Sequence, residues 1–154
     1  MGTPKAQAAA LRMEAVNSEV KVKAITAFIG EENCRELIKG HDLVLDALDN
    51  MSARKVLENA CEAENIPMVD GAIAGWFGQV STVMPGDGTM KKIYPTNENK
   101  GMEVELGNPS FTPAVIASIQ VAEAVKVLLG RSGILQNKLL AIDLLNHEYE
   151  VLEL

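Results

Sequence analysis

The chain is poor in the features that mark several large functional classes. Its two cysteines, Cys34 and Cys61, lie far apart and neither belongs to a CxxC pair. No zinc site or disulfide framework is therefore signalled, and a reducing cytoplasm is the expected setting. Aromatic residues make up only 4%. No uninterrupted apolar run approaches the ~18–20 residues of a membrane helix, so no membrane span is expected. The first residues, MGTPKAQAAALRMEAVN, carry early charges and no apolar core, unlike a secretory signal. Basic residues are outnumbered, 14 against 21 acidic, for a net charge of −7. A nucleic-acid backbone is an improbable partner for such a surface. There is no GxGxxG anywhere, and no residue suited to handling a hydride, which argues against a dinucleotide-binding oxidoreductase.

What remains is 154 residues, 47% of them apolar, enough for one domain with a core. Thr3 and Pro4 predict a helix start, with Thr3 as cap, and an alanine-rich helix to about Val16. Val20, Val22 and Ala24 alternate with charged residues, predicting a half-buried strand over 19–26. A short helix is expected over 31–39, closed by Gly40. Leu43-Val44-Leu45 reads as a buried strand, 52–65 as a helix, and Ile66 to Val69 as a third strand. This α-β-α-β-α-β order predicts a mostly parallel α/β sheet. Trp76 to Val83 predicts a longer strand, and 85–110 a long glycine- and proline-bearing loop. A strong helix is expected over 112–129. A C-terminal hairpin, 139–144 and 149–152, turns around Asn146-His147.

The chemistry concentrates in His41 to Arg54, HDLVLDALDNMSAR. A strand that ends in carboxylates and runs into a helix is where open α/β sheets place ligands. Asp49 suits a magnesium ion or a ribose hydroxyl. Asn50 suits the cap of the next helix. Arg54 is close enough to pair with the acids and fix the turn. The same pattern also fits a capped helix with a surface ion pair. Lys5, beside a helix start, suits phosphate neutralisation or plain solvation. Phe28 suits a cover for a flat ring, or core. Asp46 suits a turn acid, and Cys61 a small core residue, while Cys34 reads as the more exposed thiol. His41 and His147 stand alone, and Trp76 between glycines reads as packing or interface.

Taken together, PKAQAAALRMEAVN with EVKV, HDLVLDALDN with its arginine, IPMVDGAIAGWFGQV and FTPAVIASIQVAEAVKVLLG resemble the ThiF/MoeB/HesA family, bacterial relatives of ubiquitin-activating enzymes. The likeness runs over nearly the whole chain. It implies a Rossmann-like fold, mostly parallel with an antiparallel C-terminal extension. It further implies binding of ATP and magnesium, and adenylation of the C-terminal carboxylate of a ubiquitin-like sulfur-carrier protein. Residue by residue, Lys5 matches the lysine that contacts ATP phosphates, Asp49 the magnesium-ATP aspartate, and Phe28 the adenine pocket, with Asn50 beside Asp49. The family's glycine-rich phosphate turn, ribose acid and triphosphate arginine precede this region and have no counterpart in these residues. The chain thus corresponds to a partial domain over 1–154, truncated at its N-terminal βαβ unit. Alone, it is expected to bind ATP poorly and to adenylate nothing. A fragment, a half-enzyme completed by another chain, and a degenerate interaction domain all fit. The family's CxxC zinc motifs are absent too, so no zinc is expected. A sheet without its first strands has an apolar edge to cover. A homodimer is therefore expected, through the strand near Val20 or the segment around Trp76.

Overall fold

The computed structural model of the chain describes residues 2–95 and 107–154. The long loop anticipated over 85–110 falls partly outside them. Its described part holds a short helix, α4 (Thr89–Ile93), entered from Gly88 at φ 65°.

The elements follow in order as α1 (Lys5–Val16), α2 (Cys34–Ile38), β1 (Val44–Leu45), α3 (Met51–Glu64), β2 (Met68–Ala74), β3 (Phe77–Val83), then α4, α5 (Phe111–Leu128), β4 (Lys138–Asp143) and β5 (Glu148–Glu153). The five strands form one sheet in that spatial order. The α/β class and the C-terminal antiparallel hairpin are as the sequence implies. The balance within the sheet is not: only β1 and β2 pair in parallel, and the other three pairings are antiparallel. Two local causes account for this. First, the strand anticipated over 19–26 does not form; those residues are exposed and bridge to nothing among the described residues. Alternation makes a strand only where a neighbouring strand edge accepts its ladder, and here the described sheet ends at β1. Second, β3 returns directly beside β2 through the two-residue turn Gly75-Trp76, not through a helical crossover. Gly75 takes φ 57°, the left-handed conformation such a turn requires at its first central residue.

The core has two parts. On one face α2 and α3 bury Cys34, Ile38, Leu57, Ala60 and Cys61 against Ile66, Met68 and Val83. Cys34 is thus a core residue at 1% exposure, not the more accessible thiol anticipated. Burial pushes the Cys61 thiol up to about 12 and raises Cys34 also. On the other face α5 lays Ile116 and Ala124 over Val69, Val80 and Ile142. α5 has 18 residues and a mean hydropathy of 1.4, which length and composition alone would allow in a membrane. Its sheet-facing side, however, carries polar side chains that bond into the domain. Gln120 Nε2 donates to the carbonyls of Asp46 (2.8 Å) and Val69 (3.1 Å). Glu123 Oε2 accepts from Thr82 Oγ1 (2.9 Å) and the Leu135 amide (2.8 Å). These bonds make α5 a core helix of a globular domain. By contrast, α1 buries none of its residues, and its N-terminal cap is Pro4, with no side-chain cap bond from Thr3.

The close seating of α5 on β2 depends on Gly71, because a Cβ there would lie 2.3 Å from the Gln120 amide carbon. Gly71→Ala is expected to displace that amide from both carbonyls and lower stability by about 1–3 kcal/mol. A fall in the urea midpoint at unchanged slope would show it.

Candidate functional site

The turn between β1 and α3 is built from both ends. Val44 N donates to Pro67 O and Asp46 N to Val69 O, both at 3.0 Å, which docks β1 beside β2 and sends the chain out at Asp46. Asn50 then starts α3: its Oδ1 accepts from the Ala53 amide at 2.8 Å, the capping geometry anticipated. Asp49 sits between, exposed, with Oδ1 accepting from Asn50 Nδ2 at 3.2 Å.

Beneath this turn lies a buried ionic network. Arg54, on the first turn of α3, points inward and is 7% exposed. Its Nη1 lies 2.6 Å from Asp70 Oδ1 and 3.1 Å from Asp46 Oδ2. Its Nη2 donates to the carbonyls of Leu48 (2.6 Å) and Gly71 (3.0 Å). Asp46 Oδ1 accepts from the Leu48 amide at 2.8 Å. Tyr94 Oη donates toward Asp70 Oδ2 at 3.4 Å and accepts from Gln79 Nε2 at 2.8 Å. Asp46 and Asp70 are both fully buried. Burial pushes the Asp70 carboxyl up to about 7; Arg54 pulls it down, and Asp46 adds to the rise. Arg54 is held charged by the two carboxylates despite its burial, and burial beside Asp70 raises the Tyr94 phenol. A cavity of about 690 Å³ opens between α3 and α4, with Met51, Lys55, Asn59, Met90 and Tyr94 in its wall.

The structure therefore joins Asp49, Asn50 and Arg54 in one turn, with a different partner for the arginine than spacing suggests. Arg54 pairs with Asp46 and Asp70 and grips the Leu48 carbonyl; it does not pair with Asp49. Lys5 is exposed at the start of α1, and Phe28 is 87% exposed past its end. Neither bonds to Asp49 or Asn50 among the described residues. Asp70 and Tyr94 were not anticipated. The signal for Asp70 was present: an acid directly after Ile66-Pro67-Met68-Val69, inside a strand too apolar to leave it unpartnered. Among the described residues, no group of three or more His, Cys, Asp or Glu side chains is arranged to hold a metal. His41 bonds only within its own loop, to the Ile38 carbonyl, and His147 serves the last hairpin at φ 59°.

A parallel strand leading through an acidic turn to a capped helix, with an antiparallel extension behind it, is the frame on which comparison with known proteins bears. The ThiF family model matches residues 1–154. The chain belongs to the ThiF family. It is 33% identical to the SAMP-activating enzyme E1 of Haloferax volcanii over 97% of this chain and 57% of that protein. It is 34% identical to the sulfur carrier protein adenylyltransferase of Thermus thermophilus, over 99% and 59% respectively. With the molybdopterin-synthase adenylyltransferase of Escherichia coli it shares 28%, over 100% and 63%. The chain thus spans a little over half the length of these relatives. Among solved structures, E. coli MccB with succinimide superposes with a TM-score of 0.78 at 15% identity, over 99% of this chain and 48% of MccB. PaaA superposes at 0.73 and 16%, over 99% and 56%. At such identities these two establish the fold alone, an α/β fold that covers about half of each of those chains.

Removing the cation from a buried pair of acids leaves their charge uncompensated. Arg54→Met is expected to cost about 3–5 kcal/mol, read as a large drop in thermal midpoint. Lys5→Met, at an exposed position, is expected to leave that midpoint within about 0.5 kcal/mol of the parent.

Proposed function

We propose that the chain forms part of an ATP-dependent adenylyltransferase that activates the C-terminal carboxylate of a ubiquitin-like sulfur-carrier protein. The observation that carries this reading is the Asp49 turn. An exposed carboxylate stands at the carboxyl end of a parallel strand, on a turn held from below, in a chain of the family whose relatives are named as adenylyltransferases. One Asp49 oxygen is engaged by Asn50, and the residue is exposed. That suits magnesium, which takes one or two protein carboxylates and completes its shell with phosphates and water. Bound magnesium-ATP would supply the electrophilic α-phosphorus and the pyrophosphate leaving group.

The chain's own residues bind and orient. Asp49 holds the cation and is the catalytic residue of this reading. Asn50 limits the rotation of the Asp49 carboxylate while capping α3. Lys5 neutralises phosphate charge, and Phe28 covers the adenine ring. Both of these act once the exposed α1 region is packed against further protein. The carrier's carboxylate then attacks in line, and catalysis is alignment and charge neutralisation. Without a glycine-rich turn to cradle the phosphates, the 154 residues alone should not adenylate.

A second reading, a non-catalytic domain that associates with itself, is favoured by the apolar side chains left in solvent: Leu11 at 65%, Val16 at 71%, Phe28 at 87% and Trp76 at 44% exposure. Trp76 packs on Phe111 with ring centroids 4.5 Å apart and the planes tilted by 49°, forming an aromatic patch. Self-association is compatible with both readings.

One measurement separates them, and a second tests self-association itself. ATP–pyrophosphate exchange should be at background for the 154 residues alone. It should appear when they are fused behind the glycine-rich half of a full-length relative, and Asp49→Ala should reduce it on the order of 100-fold. Equal exchange in the fusion and its Asp49→Ala variant would remove Asp49 from the site; no exchange in either would favour the non-catalytic reading. Gel filtration should place the chain at about twice its 16.6 kDa mass. Elution at the monomer mass would count against self-association.

A further inference from the structure

Two buried acids share one guanidinium beneath the Asp49 turn, and the arithmetic of charge leaves one of them unbalanced. The hydrogen bonds are unbalanced in the same place. Asp46 Oδ2 is buried and accepts no hydrogen bond, although it lies 3.1 Å from Arg54 Nη1. The Asp70 carboxyl flanks the same guanidinium nitrogen, its Oδ1 2.6 Å from Arg54 Nη1. A buried carboxylate with an empty acceptor beside a second carboxyl is resolved most simply by one proton between them.

We propose that Asp70 holds a proton, donates it to the orphaned Oδ2 of Asp46, and by balancing the network makes Arg54 the positioning residue of the Asp49 turn. The coupling path is short. Arg54 Nη2 holds the Leu48 carbonyl and Asp46 Oδ1 holds the Leu48 amide, so both polar groups of the residue before Asp49 are fixed by this network. With Asp70 protonated, the guanidinium has one counter-charge and the turn is held from two sides. With Asp70 ionised, Asp46 loses its donor, the two acids repel, and the guanidinium is drawn toward Asp70 and away from Leu48. The groups that face Asp70 are Asp46 from the end of β1, Arg54 from α3, Tyr94 from the residue after α4 and, through Tyr94, neutral Gln79 from β3. α5 contributes the neutral Gln120.

The burial of Asp70 sets the pH range. Its carboxyl is raised from 3.8 to about 7 in the folded chain, so the folded state binds the proton that the unfolded chain has released. The contribution of Asp70 to stability is therefore greatest at low pH, declines as pH rises from about 4, and is lost once pH passes the folded value. This inference refines the adenylation reading only in naming Asp49 as the residue positioned; the latch itself is a property of the folded chain.

The test is NMR on the intact chain. The Asp70 carboxyl carbon should titrate near neutral pH, and the amides of Leu48 and Asp49 should shift with the same midpoint. Asp70→Asn should abolish that midpoint in both amides, and its urea midpoint should gain on the parent as pH rises from 5 to 8. Asp49→Ala should leave the Asp70 titration in place, so a failed exchange assay and a failed latch are told apart. Leu48 and Asp49 amides that do not move between pH 5 and 9 would overturn the proposal. So would an Asp70 carboxyl already ionised at pH 5. The co-titration is read on the parent chain, so it decides the matter even if Asp70→Asn does not fold.

Discussion

One guanidinium holds the candidate site together. Arg54 contacts the segment after β1, the first turn of α3 to which it belongs, and β2, through two carboxyl groups and two carbonyls. Burying the negative charge of that acid pair without it would cost several kcal/mol. The arrangement has a directional consequence that a hydrophobic plug would lack. A fork of donors fixes the carbonyl of Leu48 at a set distance and angle, and so fixes where the chain emerges at Asp49. β1 is only two residues long, so the ladder alone is a weak guide for that exit. The ionic network supplies what the short strand cannot.

Local signals carried most of the architecture. Asn50 as cap, the apolar face of α3, and Pro113 in the first turn of α5 mark helices by backbone chemistry that neighbours do not alter. The hairpin around Asn146 and His147 was equally legible, because Asp143 accepts from the Leu145 and Asn146 amides within the turn itself. What depended on distant partners was not legible. The charged alternation over 19–26 satisfies every local rule for a strand and still has no ladder to join. The direction of β3 was decided by Gly75, where an antiparallel return competes with a crossover. In the site, Asp49 and Asn50 were identified from spacing, whereas the partners of Arg54 came from residues 8 before and 16 after it in the chain. Sequence spacing within one helix says nothing of such a contact.

Membership of the ThiF family explains why the fold is well made on one side and open on the other. The four antiparallel-linked strands and α5 enclose a core, while α1 and residues 17–28 bury nothing. The relatives are longer, and this chain matches a little over half of their length. The exposed apolar residues of α1 and Phe28 are consistent with a surface that meets further protein, whether another part of such a domain or another copy.

Glu123 has a meaning for how the chain folds. β2 with β3, and β4 with β5, are hairpins of neighbours in sequence, and such units form in microseconds. Joining them brings together residues such as Val80 and Leu140 across a long intervening segment, and closing that loop is the entropic obstacle. Glu123 stands at the seam. It bonds Thr82 at the end of one hairpin and the Leu135 amide just before the other, and it is buried while doing so. Its Oε1 pairs with Lys126 within α5, but its Oε2 receives both of its bonds only when both hairpins are in place, which couples their docking. Its loss would let the halves meet loosely before they lock, trading a cooperative transition for a gradual one.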